Sequence, residues 1–502
     1  MKKWFIFCLF LLLPALTFAA GEKEEGAVAM DEEVEIFVKL PSNPPGALSE
    51  ITEALNEMTK RDLNATVRFE HYTWSDWRNK YKLDLVSGEP IDMLYSAKWI
   101  GFFEFQADGA FKDISGMLPQ YAPRVWENVE EDKWVRLTRA NDAIYAVPAH
   151  WNAADANGFV YREDLRKKYN VPEITNVDAF EQYLTAIKKN EPDMKPMGNG
   201  KIADDNYLPM VPHHEDIIDS HILYDVRSPD KDLTTPLDHR DSIIEWAERN
   251  RDFYDKDFFT HDILANEGSA RIAETDFRNG SIGIAFSNSG GYQNIKNELE
   301  TEKEDWEIGF VPGPHLNAGR YALFKGVTQD LTVFPLAGED TPRALQLLDK
   351  LLFDQEYYNL VNYGIEGSHY KKVNENTIEL IVGNGFGPQA LAFWSIRNDD
   401  LEMTFDESYD SAGAKLREEL ALDAYPDYGA DFYIDETASV KPILAALGVV
   451  KDEHYIPLSV GLYSKSEIPG KVDAYLKALE NAGVKKLRDF VQPYWDMYIA
   501  QE

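Results

Sequence analysis

The spacing of apolar residues near the start of the chain switches between two periods. Alternation of apolar and polar positions at 34–38, 66–71 and 91–95 predicts β-strands. Between the first two of these, an apolar position about every three to four residues over 48–58 predicts an α-helix with Asn43 as its N-cap. Strands that alternate with helices are typical of a parallel sheet covered by helices, so we predict an α/β fold.

The length of the chain predicts two lobes rather than one. A single hydrophobic core rarely grows beyond about 250–300 residues, and this chain has 502. We expect a first lobe formed by 34–148 and 328–390, and a second lobe formed by 149–327 and 391–502. The second lobe would include a helical C-terminal segment, where apolar stripes lie on both sides of Gly483.

Later segments repeat the same two patterns. A buried strand within 326–335 is expected to return the chain to the first lobe. The other predicted elements are helices from Val177 and from Ser242, strands at 281–286 and 306–310, and helices at 341–352 and 354–363.

The N-terminal sequence predicts that the chain is exported. Residues 1–20 combine a basic start, an apolar run at 4–16 and small residues at the end, as in a secretory signal peptide. The run is shorter than the ~20 residues that a membrane-spanning helix needs. The single cysteine, Cys8, lies inside it, so none would remain for disulfides, thiol catalysis or a lipid anchor. After a flexible acidic lead-in at 21–33, we expect an exported, periplasmic or otherwise extracytoplasmic chain that is not lipid-anchored.

The chain is strongly acidic, with 51 basic and 87 acidic residues and a formal charge of −36. A field of this sign repels phosphate backbones and anionic membrane surfaces, so we do not expect nucleic acid or a membrane as a partner. We interpret the charge as a solubility feature of the helix surfaces. The alternative is an acidic pocket for a cationic solute.

Small polar residues follow five of the predicted strands, and a tryptophan accompanies them at three. Ligands bind outside the carboxyl ends of the strands in open α/β sheets. A pyranose has apolar C–H faces that stack on indole and hydroxyl groups that need polar partners, so this mixture suits a sugar. The alternative is that these residues cap helices and end turns. The candidate ligand-binding residues in these segments are Ser42, Asn43, Trp74, Ser96, Lys98, Trp99, His150, Trp151, Asn152, Asp155, Asn288 and Ser289.

Trp151 is the leading candidate among them. Its neighbours include His150, Asn152 and Asp155, whereas a core tryptophan usually lies on a periodic apolar face. We predict that Trp151 stacks on a ligand, and the alternative is a structural wedge between the lobes. Asp155 would either accept hydrogen bonds from ligand hydroxyl groups or cap a turn.

Two further segments have ambiguous roles. Trp394 and Arg397 follow a glycine-rich stretch and are candidate binding residues, although Trp394 would equally suit the core. His213, His214 and Glu215 are residue types that suit zinc, but adjacent side chains point apart, so we predict a polar loop or helix start and no metal. No cofactor is expected. Carboxylates are abundant enough to leave a glycoside hydrolase pair as an alternative, although no catalytic motif is found.

Several motifs resemble those of bacterial extracellular solute-binding proteins of family 1, the receptors of sugar-type ABC importers. They are Tyr-Ala-Val-Pro at 145–148, Tyr-Arg-Glu-Asp-Leu at 161–165 and Phe-Arg-Asn-Gly-Ser-Ile-Gly-Ile at 277–284. The stretch Tyr-Gly-Ile-Glu-Gly-Ser-His-Tyr at 363–370 resembles a signature of the LplA/LipO-like branch, which carries a distinct C-terminal domain. Glu366 lies within this signature and joins the candidate ligand-binding residues. Many members are lipoproteins, and this chain lacks their lipobox.

The resemblance implies the two-lobed α/β fold of type II periplasmic binding proteins, similar to maltose-binding protein, with hinge crossings beneath an interlobe cleft. It implies a non-catalytic, monomeric receptor that captures a carbohydrate, expected to be an oligosaccharide, and delivers it to ABC transporter permease subunits. Trp151 would then lie on the first crossing, at the floor of the cleft. A receptor for a peptide or a cationic solute, or a secreted carbohydrate-active enzyme, are the alternatives.

Overall fold

The computed structural model describes residues 32–73, 77–138, 143–151, 154–197, 210–218, 221–228, 230–258, 270–313, 316, 322–381, 383–406, 411–434 and 439–500. The strands in chain order are β1 (Val34–Pro41), β2 (Ala65–Tyr72), β3 (Met93–Ser96), β4 (Ala146–Pro148), β5 (Ala154–Asp155), β6 (Gly158–Arg162), β7 (Lys195–Met197), β8 (His214–Ile218), β9 (Ile222–Asp225), β10 (Leu233–Thr234), β11 (Ile282–Ser287), β12 (Ile308–Pro312), β13 (Ala322–Phe324), β14 (Leu331–Val333), β15 (Tyr370–Lys372), β16 (Thr377–Leu380), β17 (Thr404–Phe405) and β18 (Ala424–Pro426).

Helices connect and cover these strands. The α-helices in chain order are α1 (Leu48–Leu63), α2 (Trp77–Ser87), α3 (Phe102–Ala107), α4 (Leu118–Tyr121), α5 (Pro123–Asn128), α6 (Glu131–Leu137), α7 (Glu163–Lys168), α8 (Val177–Asn190), α9 (Arg240–Asp255), α10 (Ala270–Asn279), α11 (Ser289–Glu302), α12 (Thr341–Phe353), α13 (Gln355–Tyr363), α14 (Ala412–Ala421), α15 (Tyr428–Asp431), α16 (Lys441–Val450), α17 (Ile456–Ser459), α18 (Ile468–Ala482) and α19 (Val484–Ile499). Short 3₁₀ helices lie at Lys98–Ile100, Pro236–Asp238, Val327–Gln329, Trp394–Ile396 and Asp399–Leu401, and a π-turn at Lys451–Tyr455.

The first lobe is built on a five-stranded sheet in the order β2-β1-β3-β14-β4. Strands β1, β2 and β3 are parallel, which confirms the prediction from the alternating strands and helices. Strand β14 is antiparallel to both β3 and β4, and its first residue, Leu331, pairs with Ser96 and with Pro148. The carboxyl ends of β1 to β4 and the start of β14 therefore meet at one side of the sheet, which we call the strand-end edge.

Helix α1 shows how the sequence pattern positions this sheet. Ile51 and Leu55 are fully buried against it, as their spacing predicts. The prediction that Asn43 caps the helix is wrong, because α1 starts at Leu48 after Ala47. With Asn43 as the cap, Pro44 would be the first helical residue, but Pro44 itself precedes Pro45, and a residue before proline is disfavoured in the helical conformation. The helix therefore starts beyond the proline pair.

The second lobe contains a four-stranded sheet in the order β12-β6-β11-β7. Strand β6 lies antiparallel to both of its neighbours, and β7 is parallel to β11. Gly158 opens β6 at a close approach, where an added Cβ would lie 2.1 Å from the Val311 carbonyl oxygen. A side chain at this position would push the two strands apart, so the glycine is required by packing.

A small sheet in the order β18-β13-β5 joins the lobes. Strand β5 follows the first-lobe strand β4, β13 precedes the first-lobe strand β14, and β18 precedes α15, so we call the segments that carry them the first (β5), second (β13) and third (β18) crossings. Leu391, Phe393 and Ile396 are buried in the core of the first lobe. Their burial favours a first lobe that continues beyond the predicted limit at 390.

The C-terminal helices pack on the second lobe. Helices α18 and α19 bury Val472 and Leu479, and Leu487 and Val491, in one core with β9 and α9. These positions are the apolar stripes that the sequence predicts on either side of Gly483. Among the described residues, no helix is both long and apolar enough to cross a bilayer.

Candidate ligand-binding cleft

A continuous run of aromatic rings lies at the strand-end edge. Tyr95, near the end of β3, contacts Trp394 at 5.5 Å between ring centroids and Trp99 at 6.3 Å. Trp99 in turn contacts Trp77, at the start of α2, at 5.7 Å. We call these four residues the aromatic run. Tyr95 is buried, whereas Trp99 is 42% exposed and the other two are half-buried. The run therefore offers indole surface to solvent at the side of the sheet where ligands bind in this fold class.

A hydrogen-bonded network continues from the aromatic run to the first crossing. The Tyr95 hydroxyl donates to Asp330 Oδ1 at 2.6 Å, and Arg397 Nη1 donates to Asp330 Oδ2 at 3.4 Å. Arg397 Nη2 also donates to Gln389 Oε1 at 2.6 Å. Burial, together with the charge of Asp330, holds the pKa of Tyr95 well above its ordinary value, so the phenol stays protonated as a donor.

Trp151 lies against this network. The guanidinium carbon of Arg397 is 4.5 Å from the centroid of the Trp151 ring, a cation–π contact. Trp151 is half-buried and packs at the first crossing, directly after β4. The structure therefore brings two predicted binding residues, Trp151 and Arg397, into contact beside the first crossing. The stacking role of Trp151 stays a prediction, which this half-exposed position favours.

Two other predicted binding residues of the first lobe already have protein partners. Ser96 is fully buried and accepts a hydrogen bond from the Tyr81 hydroxyl at 3.0 Å. Lys98 Nζ donates to the Gly429 carbonyl at 2.5 Å, and burial lowers its pKa. These contacts give both side chains a structural role.

His150 turns away from its neighbour Trp151. Its ring packs on Phe353 at 5.4 Å, with Nδ1 3.9 Å from Glu130 and Nε2 3.5 Å from Asp400. Its backbone bonds Arg397 and Asp399. Successive side chains of an extended segment point to opposite sides, so Trp151 and His150 face different surroundings.

The second-lobe candidates form a closed cluster at the start of α11. Asn288 caps this helix, since its side chain accepts from the Gly291 amide at 2.9 Å. The Ser289 amide donates to Asp155 Oδ1 at 3.2 Å, and Lys325 Nζ lies 3.5 Å from Asp155 Oδ2. Asp155 thus ties the first crossing to the second crossing and to α11. For these residues the geometry favours the capping and turn interpretation.

The remaining candidates lie apart from this network. Ser42 adopts a left-handed backbone with φ of 92°, and Asn43 is exposed beside it. Glu366 is half-exposed at the turn before β15, with Lys372 Nζ at 3.5 Å, and no described contact links it to the aromatic run. Trp74 and Asn152 lie outside the described residues.

A buried charge network at the third crossing was not predicted from the sequence. Asp431 accepts from the amides of Val327 and Thr328, each at 2.8 Å, and from Arg136 Nη1 at 3.4 Å. Gly326 is required beside it, because an added Cβ would lie 2.6 Å from Asp431 Oδ1. Asp427 lies nearby and is half-buried; desolvation raises its pKa, and the charge of Lys98 opposes the shift. This cluster fastens the third crossing to the second crossing and to the first lobe.

Sequence reasoning also missed Tyr95, Trp77, Asp330 and Gln389. Tyr95 and Asp330 lie in or beside segments that the sequence assigned to buried strands, so their position at a strand end was the available signal. Trp77 opens a helix directly after a strand, the same signal that selected Trp99. Gln389 adopts a left-handed backbone with φ of 58°, and no feature of the sequence around it indicates its role.

The histidine-rich segment is a strand rather than the predicted loop or helix start. Strand β8 begins at His214, whose Nδ1 lies 3.0 Å from the Pro212 carbonyl oxygen and whose ring packs on His239 at 4.4 Å. Alternation along the strand separates His214 from Glu215. Within the described ranges, no group of three or more His, Cys, Asp or Glu residues is arranged to hold a metal ion.

Comparisons with known proteins place this geometry in a family. The model of the family described as bacterial extracellular solute-binding protein matches residues 42–354, more than half of the chain. A carbohydrate ABC transporter substrate-binding protein of Streptococcus pneumoniae serotype 4 is 20% identical over 489 residues, covering 94% of this chain and 93% of the relative.

Solved structures share the fold across nearly the whole chain. The N-glycan transport solute-binding protein NgtS from Streptococcus pneumoniae matches with a TM-score of 0.73 and 17% identity, over 93% of this chain and 99% of its own. NgtS is also known in complex with Man1GlcNAc, with a TM-score of 0.70 at 18% identity over 93% of this chain and 100% of its own. The alginate-binding protein AlgQ2 matches with a TM-score of 0.63 and 13% identity, over 93% and 98% of the two chains. The chain belongs to the family of bacterial extracellular solute-binding proteins, and it has their two-lobed α/β fold.

Proposed function

We propose that this chain is the extracytoplasmic receptor of an ABC importer and captures an oligosaccharide between its lobes. The observation that carries the proposal is the aromatic run at the strand-end edge. Trp99 is 42% exposed and contacts Trp77, and Trp394 joins the run through Tyr95. Indole faces are suited to the apolar C–H faces of pyranose rings.

The crossings explain how a ligand would be held. Within the described part of the chain, the first, second and third crossings lie side by side in the β18-β13-β5 sheet. Closure about such a hinge brings second-lobe groups over a ligand that is stacked on the first lobe. A ligand that contacts both lobes at once stabilises the closed form by its differential affinity, and the permease subunits would recognise that form.

The relatives support a carbohydrate as the solute. NgtS is an N-glycan transport protein known in complex with a mannose-containing glycan, and the curated relative is named as a carbohydrate transporter component. This chain's own membership of a solute-binding family supports the proposal that it is a receptor that binds its solute without catalysis. The receptor is expected to act as a monomer without a cofactor, and the predicted signal peptide at 1–20 fits export.

The test is a ligand screen on the mature protein. Thermal shift is measured with neutral and acidic oligosaccharides, peptides and polyamines, and each hit is confirmed by isothermal titration calorimetry. We expect a rise in Tm with at least one oligosaccharide and none with the other two classes. A shift with polyamines or peptides alone would remove the carbohydrate assignment. Chromatography of the incubated sugar checks the enzyme alternative, because any hydrolysis product would contradict a receptor.

A further inference from the structure

Basic side chains near the cleft floor are paired with carboxylates. Arg397 stacks on Trp151 and pairs with Asp330, whose side chain is only 3% exposed. Lys325, on the second crossing, lies 3.5 Å from the carboxylate of Asp155. The positive charge that each cation would offer to a ligand is therefore largely cancelled by its own partner.

Two basic side chains at the third crossing are also engaged by groups of the protein. Arg136 Nη1 lies 3.4 Å from Asp431, whose side chain is fully buried. Lys98 Nζ donates to the Gly429 carbonyl, and the negative charges of Asp427 and Asp431 act on it. Within the described ranges, these two cations are committed to the protein as well.

This pairing determines which sugars the cleft can desolvate. A uronic acid or sialic acid unit brings a carboxylate, and moving a carboxylate out of water without a cationic partner carries a large desolvation penalty. Because Asp330 pairs with the arginine that stacks on Trp151, that arginine offers such a carboxylate little net attraction. The net charge of −36 acts in the same direction at longer range. Neutral hydroxyl groups carry none of these costs.

We propose that the ligand is an uncharged oligosaccharide, and that Asp330 is the residue that discriminates against acidic sugars by cancelling the charge of Arg397. This inference rests on the proposed function. It deepens that function by fixing the class of the sugar. Arg397, with its charge paired, then packs over the Trp151 ring and fixes its position without attracting anions.

Matched sugars of equal length test the inference on the wild-type protein. β-1,4-Mannotetraose and β-1,4-tetramannuronate differ at C6, where the second carries a carboxylate, and calorimetry of both is added to the oligosaccharide screen. We expect the confirmed ligands to be neutral and every acidic counterpart to bind at least about tenfold more weakly, ~1.4 kcal/mol. An acidic sugar as the tightest ligand would overturn the inference while leaving the carbohydrate receptor intact. Failure of all oligosaccharides would overturn the proposed function and this inference with it.

The Asp330→Asn variant tests the named residue. It leaves Arg397 without its anionic partner, so the affinity for the acidic member of a matched pair should rise relative to the neutral member by about three- to tenfold. Asp349→Asn is the control, because Asp349 is also a buried first-lobe carboxylate bonded to an arginine, Arg124, at 2.8 Å. An unchanged ratio in Asp330→Asn, or an equal rise in Asp349→Asn, would remove the specificity role. If Asp330→Asn does not fold, the wild-type comparison still decides the class of the ligand.

Discussion

The strand ends of the two lobes use similar residues for different purposes. In the first lobe, the residues that follow β3 include Trp99, which joins the aromatic run and remains 42% exposed. In the second lobe, the residues that follow β11 are Asn288 and Ser289, which bond the backbone of α11 and the carboxylate of Asp155. One strand end therefore keeps an exposed aromatic surface, whereas the polar residues at the other bond to the protein itself.

The difference shows that residue type alone does not mark a binding site. A polar residue that caps a helix already uses part of its hydrogen-bonding capacity within the protein. An indole ring at a strand end keeps a large apolar face that its neighbours cover only in part. We therefore expect substitutions at the first-lobe edge to change ligand affinity and substitutions at the second-lobe edge to change stability.

The largest expected effect lies at neither edge but at the third crossing. Replacing Asp431 by Ala leaves the amides of Val327 and Thr328 and the Arg136 guanidinium without this buried acceptor. We expect the free energy of unfolding to fall by about 3 kcal/mol or more, because each largely buried donor left without its acceptor costs about 1–3 kcal/mol. Denaturant unfolding followed by circular dichroism measures it.

The exposed partner of the same arginine serves as the control. Asp132 lies 3.9 Å from Arg136 Nη2 and its side chain is 66% exposed. Asp132→Ala should leave stability nearly unchanged, because exposed ion pairs contribute little. Equal losses in the two variants would show that burial of Asp431 does not account for its effect.

Trp99→Ala should produce the largest loss of ligand affinity at the first-lobe edge. Losing an aromatic stacking surface is expected to weaken oligosaccharide binding by about 1–3 kcal/mol, measured by calorimetry with the ligand from the screen. Trp126→Ala is a close control: Trp126 is 40% exposed and contacts Trp134 at 5.7 Å, as Trp99 contacts Trp77. If both variants bind as the wild type does, the aromatic run is not the binding surface.

Trp151→Ala tests the first crossing. The loss of its ring should weaken binding by about 1–2 kcal/mol, since part of the ring already packs against Arg397. If Trp151 is instead a structural wedge between the lobes, the variant should have a reduced free energy of unfolding and an unchanged ligand affinity. Measuring both quantities on the same preparation separates the two roles of Trp151.

The sequence predicted the framework of these regions better than their contacts. Strands β1 to β3 and helix α1 follow from local periodicity, and their parallel arrangement follows from their alternation. The partners of the polar residues cannot be predicted from local periodicity, because those partners are distant in sequence. Asp155 meets Ser289 across 134 positions, and Lys98 meets Gly429 across 331. Whether a polar residue after a strand faces a ligand or the protein depends on such contacts, which no local pattern encodes.

Asn288→Ala is expected to have the smallest effect, and it tests the comparison most directly. Losing the cap of α11 should lower the unfolding free energy by about 1 kcal/mol and leave affinity unchanged. Asn176→Ala is the matched control, because Asn176 caps α8 in the same lobe through an equivalent bond to the Ala179 amide at 3.0 Å. Equal stability losses with unchanged binding in both variants would support the closed second-lobe edge. A loss of affinity in Asn288→Ala alone would mean that the Asn288 side chain contacts the ligand, so that capping a helix and binding a sugar coexist in one residue.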